Sequence, residues 1–139
     1  MFDRCLYFNT NALSRAVGKL WKQAYDELDL APAHAYLLRL VLEKPGIVQR
    51  EIAVELQLEK STVTRFVDKM EDQGYLQRSP SPNGGLKEQS IHPTTQAKKI
   101  HHRLEEIGDE LYAKAQQLLT KEKLAKLVSL ERMAIDATK

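Results

Sequence analysis

Cys5 is the only thiol in this 139-residue chain, so neither an intramolecular disulfide nor a thiolate metal site can be built within it, and a reducing compartment suits it. Six glycines and five prolines are too few for a low-complexity or collagen-like chain and fit a helix-rich domain. Neither sign of charge dominates: 21 Lys and Arg stand against 19 Asp and Glu, for a net charge of +2. Bulk charge therefore does not announce a nucleic-acid partner. No apolar run approaches the roughly 20 residues that span a bilayer, and the opening MFDRCLYFNTN lacks the blocks of a secretory signal; a cytoplasmic protein is expected. There is no Gly-rich phosphate loop, no His-Glu-x-x-His and no nucleophile in a recognisable setting, so neither an enzyme nor a cofactor is expected.

What is present is helical periodicity. From about Asn9 to Leu28, residues Leu13, Ala16, Val17, Leu20, Trp21, Ala24 and Leu28 recur at three and four, predicting a long amphipathic helix. Pro32 suits a first helical turn, and Lys44-Pro45-Gly46 stops a second helix after Glu43. Two short helices follow. The first carries Ile52, Ala53 and Leu56 on one face, and the second carries Val63, Phe66, Val67 and Met70, with Gly74 as its terminator. The segments YLQRS and QSIHP, separated by PSPNGGLK, read as a hairpin forming a small two-stranded wing in which Pro80 and Pro82 limit regular pairing. Thr94 is a suitable N-cap for a long helix through Leu119, and a last helix holds Leu124, Leu127, Val128, Leu130 and Met133. The chain reads as one mainly α domain.

Helix, turn, helix and wing, set between long helices, is the winged helix-turn-helix arrangement, whose second short helix enters the DNA major groove. The hydroxyls of Ser61, Thr62 and Thr64 are small and can meet phosphates or bases. Arg65 can bind guanine through two bonds, and Lys69, one turn on, can hold a phosphate. Gln49 and Arg50 open the preceding helix, where an amide and a cation can fix register on the DNA backbone. Arg78 and Lys87 are the further cations of the wing. From Gln49 to Arg78, however, five basic residues face six acidic ones. A winged module that binds protein rather than DNA is therefore the alternative reading, and a solvated polar helix face the ordinary one.

The run REIAVELQLEKSTVTRFVDKMEDQGYLQR, with the wing and IHPTTQAKKI after it, resembles the MarR family of bacterial transcription regulators, most specifically at Ser61, Thr62, Arg65, Asp68, Met70, Glu71 and Gly74. The likeness runs over nearly the whole chain. It implies a homodimer whose terminal helices (about 1–30 and 97–139) interlock and whose winged modules (about 31–96) bind a palindromic operator in double-stranded DNA. It implies, too, a repressor released by a small-molecule effector or by oxidation. Two departures stand out: Asn83-Gly84-Gly85, with Lys87 beyond, replaces the family's Asp-x-Arg at the wing, and Pro93-Thr94-Thr95-Gln96-Ala97 replaces Leu-Thr-x-x-Gly. By the same resemblance Trp21, His34 and Tyr36 would lie near an effector pocket, with an ordinary packed core that holds no ligand as the alternative. Cys5 would be the redox candidate, with an ordinary packed thiol as the alternative. His101 and His102 lie about 100° apart around a helix and cannot chelate from one face; no metal is expected.

The apolar residues of the terminal helices, among them Leu104, Ile107, Leu111, Leu118, Leu119, Leu124, Leu127 and Leu130, exceed what a small three-helix module can cover. That excess is an independent reason to expect a dimer.

Overall fold

A computed structural model describes residues 1–80 and 88–139. It divides into two compact units, Met1–Glu105 and Glu106–Lys139. The wing tip with Asn83, Gly84 and Gly85, and Lys87 after it, lie outside the described residues.

In the first unit, α1 runs over Leu6–Tyr25, earlier at both ends than the periodicity suggests. Cys5 caps it, its Sγ accepting from the Phe8 amide at 3.4 Å, and Asn9 Nδ2 donates back to the Cys5 carbonyl at 2.8 Å. The chain then tightens into a 3₁₀ turn at Asp26–Leu28 and leaves through Asp29 in the left-handed region. Pro32 opens α2 (Pro32–Glu43), as expected. Ala35, Leu37, Leu38, Val41 and Leu42 are all buried, so α2 is the central helix of the unit.

Gly46, at φ +89°, turns the chain into β1 (Ile47–Val48), which leads directly into α3 (Gln49–Leu56). Gln57, at φ 55°, ends α3 with its amide on Ala53 and Val54, and α4 follows at Lys60–Asp72. Val63, Val67 and Met70 point inward, the one-face spacing legible in the sequence. Gly74, at φ +84°, closes α4, and the Tyr75 amide reaches back to the Met70 carbonyl at 2.9 Å, the left-handed exit that favours glycine.

Strands β2 (Leu76–Pro80) and β3 (Gln89–Pro93) form the expected antiparallel wing. Pairing runs from Leu76 opposite Pro93 to Pro80 opposite Gln89, so Pro80 does not interrupt it. A third strand is added: β1 pairs with β3, giving the order β1-β3-β2. Thr94 links wing to helix. Its hydroxyl donates to the Gly74 carbonyl at 2.6 Å and accepts from the Ala97 amide at 3.2 Å, capping α5 (Thr95–Leu119).

Leu37, Leu38, Val41, Ile52, Val63, Val67, Met70, Leu76, Ile91 and Leu104 are 0–2% exposed. Burial of each large aliphatic side chain in this set contributes about 1.5–3 kcal/mol. The second unit holds the C-terminal half of α5 and α6 (Lys121–Ala137). Thr120 caps α6 by accepting from the Lys123 amide at 3.2 Å. In this unit Ile107 and Leu111 are buried, while Tyr112, Leu118, Leu119, Val128, Leu130, Met133 and Ile135 are exposed. Among the described residues no helix is long and apolar enough to cross a membrane.

Candidate nucleic-acid interface

The outward face of α4 carries Ser61, Arg65 and Lys69 at successive turns with Thr62 beside them; all are exposed except Thr62, which is half-buried. A spacing of four residues keeps such side chains in one row on a helix. Among the described residues the Arg65 guanidinium makes one long hydrogen bond, Nη2 to Thr62 Oγ1 at 3.4 Å. At that length, and to an uncharged hydroxyl, the bond is weak, so the fork remains free to bind elsewhere.

Other residues expected at the interface are engaged inside the protein. Thr64 Oγ1 donates to the Lys60 carbonyl at 3.1 Å and accepts from Gln49 Nε2 at 3.2 Å. Gln49 Oε1 in turn accepts from Arg78 Nε at 3.3 Å. Arg78, expected as a wing cation open to DNA, has a side chain only 16% exposed. Its Nη2 donates to Asp68 Oδ1 at 2.6 Å and to the Thr64 carbonyl at 3.4 Å, and its Nη1 to Glu71 Oε1 at 3.1 Å. Arg50 pairs with Glu88 at 3.0 Å and keeps most of its side chain in solvent. Sequence reasoning finds the cations here but misses Asp68, Glu71 and Glu88 as their partners. The available signal is the spacing of Asp68 and Glu71, i and i+3 on one helix edge.

The three residues expected near an effector pocket do not come together. Trp21 and Tyr36 do meet, with Trp21 Nε1 donating to the Tyr36 hydroxyl at 3.1 Å. His34 lies two residues from Tyr36, about 200° around α2, and instead sets its ring edge-on against Phe66 of α4 at 4.8 Å. Burial, then the nearby Lys69 ammonium, lowers the His34 pKa. On the Tyr36 side, the Arg39 guanidinium lies 5.2 Å from the ring centre and binds both carboxylate oxygens of Glu105, at 3.2 and 3.0 Å. Those hydrogen bonds hold the Glu105 carboxyl below its ordinary range. Tyr25 stands edge-on to Tyr36 at 6.3 Å. Its buried hydroxyl makes no hydrogen bond of good geometry among the described residues, and burial, then the Tyr36 phenol, raises its pKa against a smaller opposing pull from the nearby Arg39.

Cys5 is half-buried in its capping role. Among the described residues no cluster of three or more His, Cys, Asp or Glu side chains could hold a metal ion.

Comparison with known proteins gives this geometry a lineage. Residues 28–85, which run from the last residue of the 3₁₀ turn into the wing, match the model of the MarR family. Over that segment the chain is similar to the MarR family. It is 28% identical over 97 residues to the uncharacterised HTH-type transcriptional regulator YybA of Bacillus subtilis (strain 168); the match covers 70% of this chain and 64% of YybA, just under two thirds of that relative's length. The PcaV transcriptional regulator of Streptomyces coelicolor, solved with its natural ligand, superposes with a TM-score of 0.87 at 22% identity, over 100% of this chain and 97% of PcaV. A putative MarR family regulator of Listeria monocytogenes complexed with a 26mer DNA superposes with a TM-score of 0.78 at 18% identity, over 96% of this chain and 89% of that one. At these identities the structural likeness establishes the winged MarR fold. The MarR family is one of transcription regulators and not of enzymes.

Proposed function

We propose that this protein is a homodimeric, sequence-specific DNA-binding transcription regulator, acting in the cytoplasm as a repressor that a small ligand or oxidation releases. The observation that carries the reading is the outward row of α4, where Ser61, Arg65 and Lys69 face solvent with the half-buried Thr62 beside them and the Arg65 fork has only a weak internal bond. Arg65 reads a base edge, Ser61 and Thr62 allow close approach, and Lys69, Arg50 and Lys87 meet phosphates. Gln49 and Thr64 serve at the edge of this surface.

Dimerisation is supported by apolar side chains left in solvent, among them Leu6, Tyr7, Leu13 and Val17 in α1 and Leu118, Leu130 and Met133 toward the C-terminus. So much exposed apolar surface favours a second copy. The Trp21–Tyr36 side of α2 and the half-buried Cys5 are the places where an effector or an oxidant would act.

The test is selection from randomised duplex DNA with the parent protein and Arg65→Ala side by side. A palindrome should be recovered by the parent, and the variant should bind it about 5- to 150-fold more weakly, the worth of one bidentate base contact, with a smaller change on random DNA. Equal losses on both kinds of DNA would remove Arg65 from base reading. The protein-interaction alternative draws on the carboxylates around Arg65; two of them, Asp68 and Glu71, are paired with Arg78. That alternative predicts duplex affinity with no salt dependence, whereas phosphate binding weakens steeply as salt rises.

A further inference from the structure

Arg78 lies on β2, yet the acceptors of its side chain belong to other elements. Asp68, Glu71 and the Thr64 carbonyl are on α4, and Gln49 is the first residue of α3. One guanidinium thus joins the wing, the helix proposed to read DNA and the start of the helix before it. Gln49 closes the circuit by donating to Thr64 Oγ1 at 3.2 Å, so the α3 terminus is held to α4 both directly and through Arg78. The side chain is 16% exposed, while those of its partners Asp68 and Glu71 are 58% and 44% exposed. The carboxylates therefore stand toward solvent on the edge of α4, with the cation tucked beneath them.

We propose that Arg78 is a positioning residue for DNA recognition and not a phosphate contact: its planar fork sets the angle of α4 against the wing and α3, and its charge cancels two carboxylates that would otherwise repel the DNA backbone. This rests on the DNA-reading function proposed above. The fork geometry matters because a guanidinium offers fixed, coplanar donors in several directions, whereas an ammonium is a point charge. A direct phosphate contact would need the reverse arrangement, with Arg78 outermost and its acceptors dispensable.

The two roles predict opposite results for three variants, read as the ratio of affinity for the selected palindrome to affinity for random duplex. Arg78→Lys keeps the charge and removes the fork. Positioning then predicts a ratio about ten-fold lower or worse, the discrimination that a well-placed bidentate base pairing supplies, with the slope of log affinity against log salt nearly unchanged. In the Asp68→Asn/Glu71→Gln protein two negative charges beside the DNA are gone, so random-duplex affinity should rise while the ratio falls by a similar factor. Combining these substitutions with Arg78→Lys should lower the ratio little further, since all three act through one network. Circular dichroism and thermal unfolding establish that each variant is folded.

The proposal is overturned if Arg78→Lys keeps the ratio, or if freeing Arg78 with Asp68→Asn/Glu71→Gln raises the ratio and steepens the salt slope by about one phosphate's worth. A parent protein that shows no preference for any duplex over random DNA would instead bring down the DNA-reading function, and this inference with it.

Discussion

Replacing Gly74 by alanine puts two separable strains into the end of α4. The first is conformational: Gly74 has φ +84°, and a Cβ there crowds the following carbonyl, which costs about 1–2 kcal/mol for an L-residue held in the left-handed region. The backbone cannot easily relax, because the Gly74 carbonyl accepts from Thr94 Oγ1 at 2.6 Å and the next amide is bound to Met70. The second strain is steric, since the new Cβ would lie 2.7 Å from Gln96 Oε1. That atom ends a flexible side chain held by a long bond, Nε2 to the Gln73 carbonyl at 3.4 Å. Swinging it away costs no more than about 0.5 kcal/mol. The sum is a loss of about 2 kcal/mol, seen in urea unfolding as a midpoint lower by roughly 1 M at fixed protein concentration. Adding Gln96→Ala to Gly74→Ala should recover only the smaller part. A single variant within about 0.5 kcal/mol of the parent, or full recovery in the double variant, would refute the assignment of the cost to the backbone angle.

Two further outcomes follow from His34 in α2 and Tyr25 beside it. Burial and Lys69 keep the folded His34 pKa below its unfolded value, so the unfolded chain takes up more protons on acidification; stability present above about pH 6.5 should fall as the pH drops below it. The His34→Phe variant should lose less stability over that range, and an equal loss would assign the effect to another group. Tyr25→Phe removes a buried hydroxyl that makes no hydrogen bond of good geometry among the described residues and should leave unfolding free energy unchanged or raise it by up to about 1 kcal/mol; a clear loss in chemical denaturation would show the hydroxyl to be bound.

The elements whose limits depend on local chemistry are legible in the sequence. Pro32 and the Lys44-Pro45-Gly46 stop bracket α2, Gly74 ends α4 and Thr94 caps α5, each through bonds to residues close in the chain or through a preset dihedral. Features that depend on distant partners are not. A two-residue strand such as β1 has no periodicity to detect, and only its pairing with Ile91 and Ser90 makes it a strand. The start of α1 precedes the point suggested by periodicity because a cysteine, an uncommon cap, holds its first turn. At the candidate interface, residue type and helix face identify Ser61, Thr62, Arg65 and Lys69 as an outward row. Arg78 looks like one more cation because a sequence shows charge but not direction, and its three α4 acceptors come into view only when β2 is laid against that helix. His34 groups with Tyr36 by chemistry, while helical rotation sends it toward Phe66.

The order β1-β3-β2 gives the wing a different mechanical character from a free hairpin. Strand β3 is bonded on both sides, to Arg78 and its neighbours along one edge and to Ile47 and Val48 along the other, with the Gly46 amide on the Ile91 carbonyl at 2.8 Å. Releasing β3 along both edges also releases the residues that launch α3. Hydrogen exchange at Ser90 and Ile91 should therefore follow the opening of the whole first unit, slow and collective, where an isolated two-stranded ribbon would exchange through local fraying. The base of the wing behaves as an extension of the core, and a force applied there would be felt at the helix-turn-helix itself.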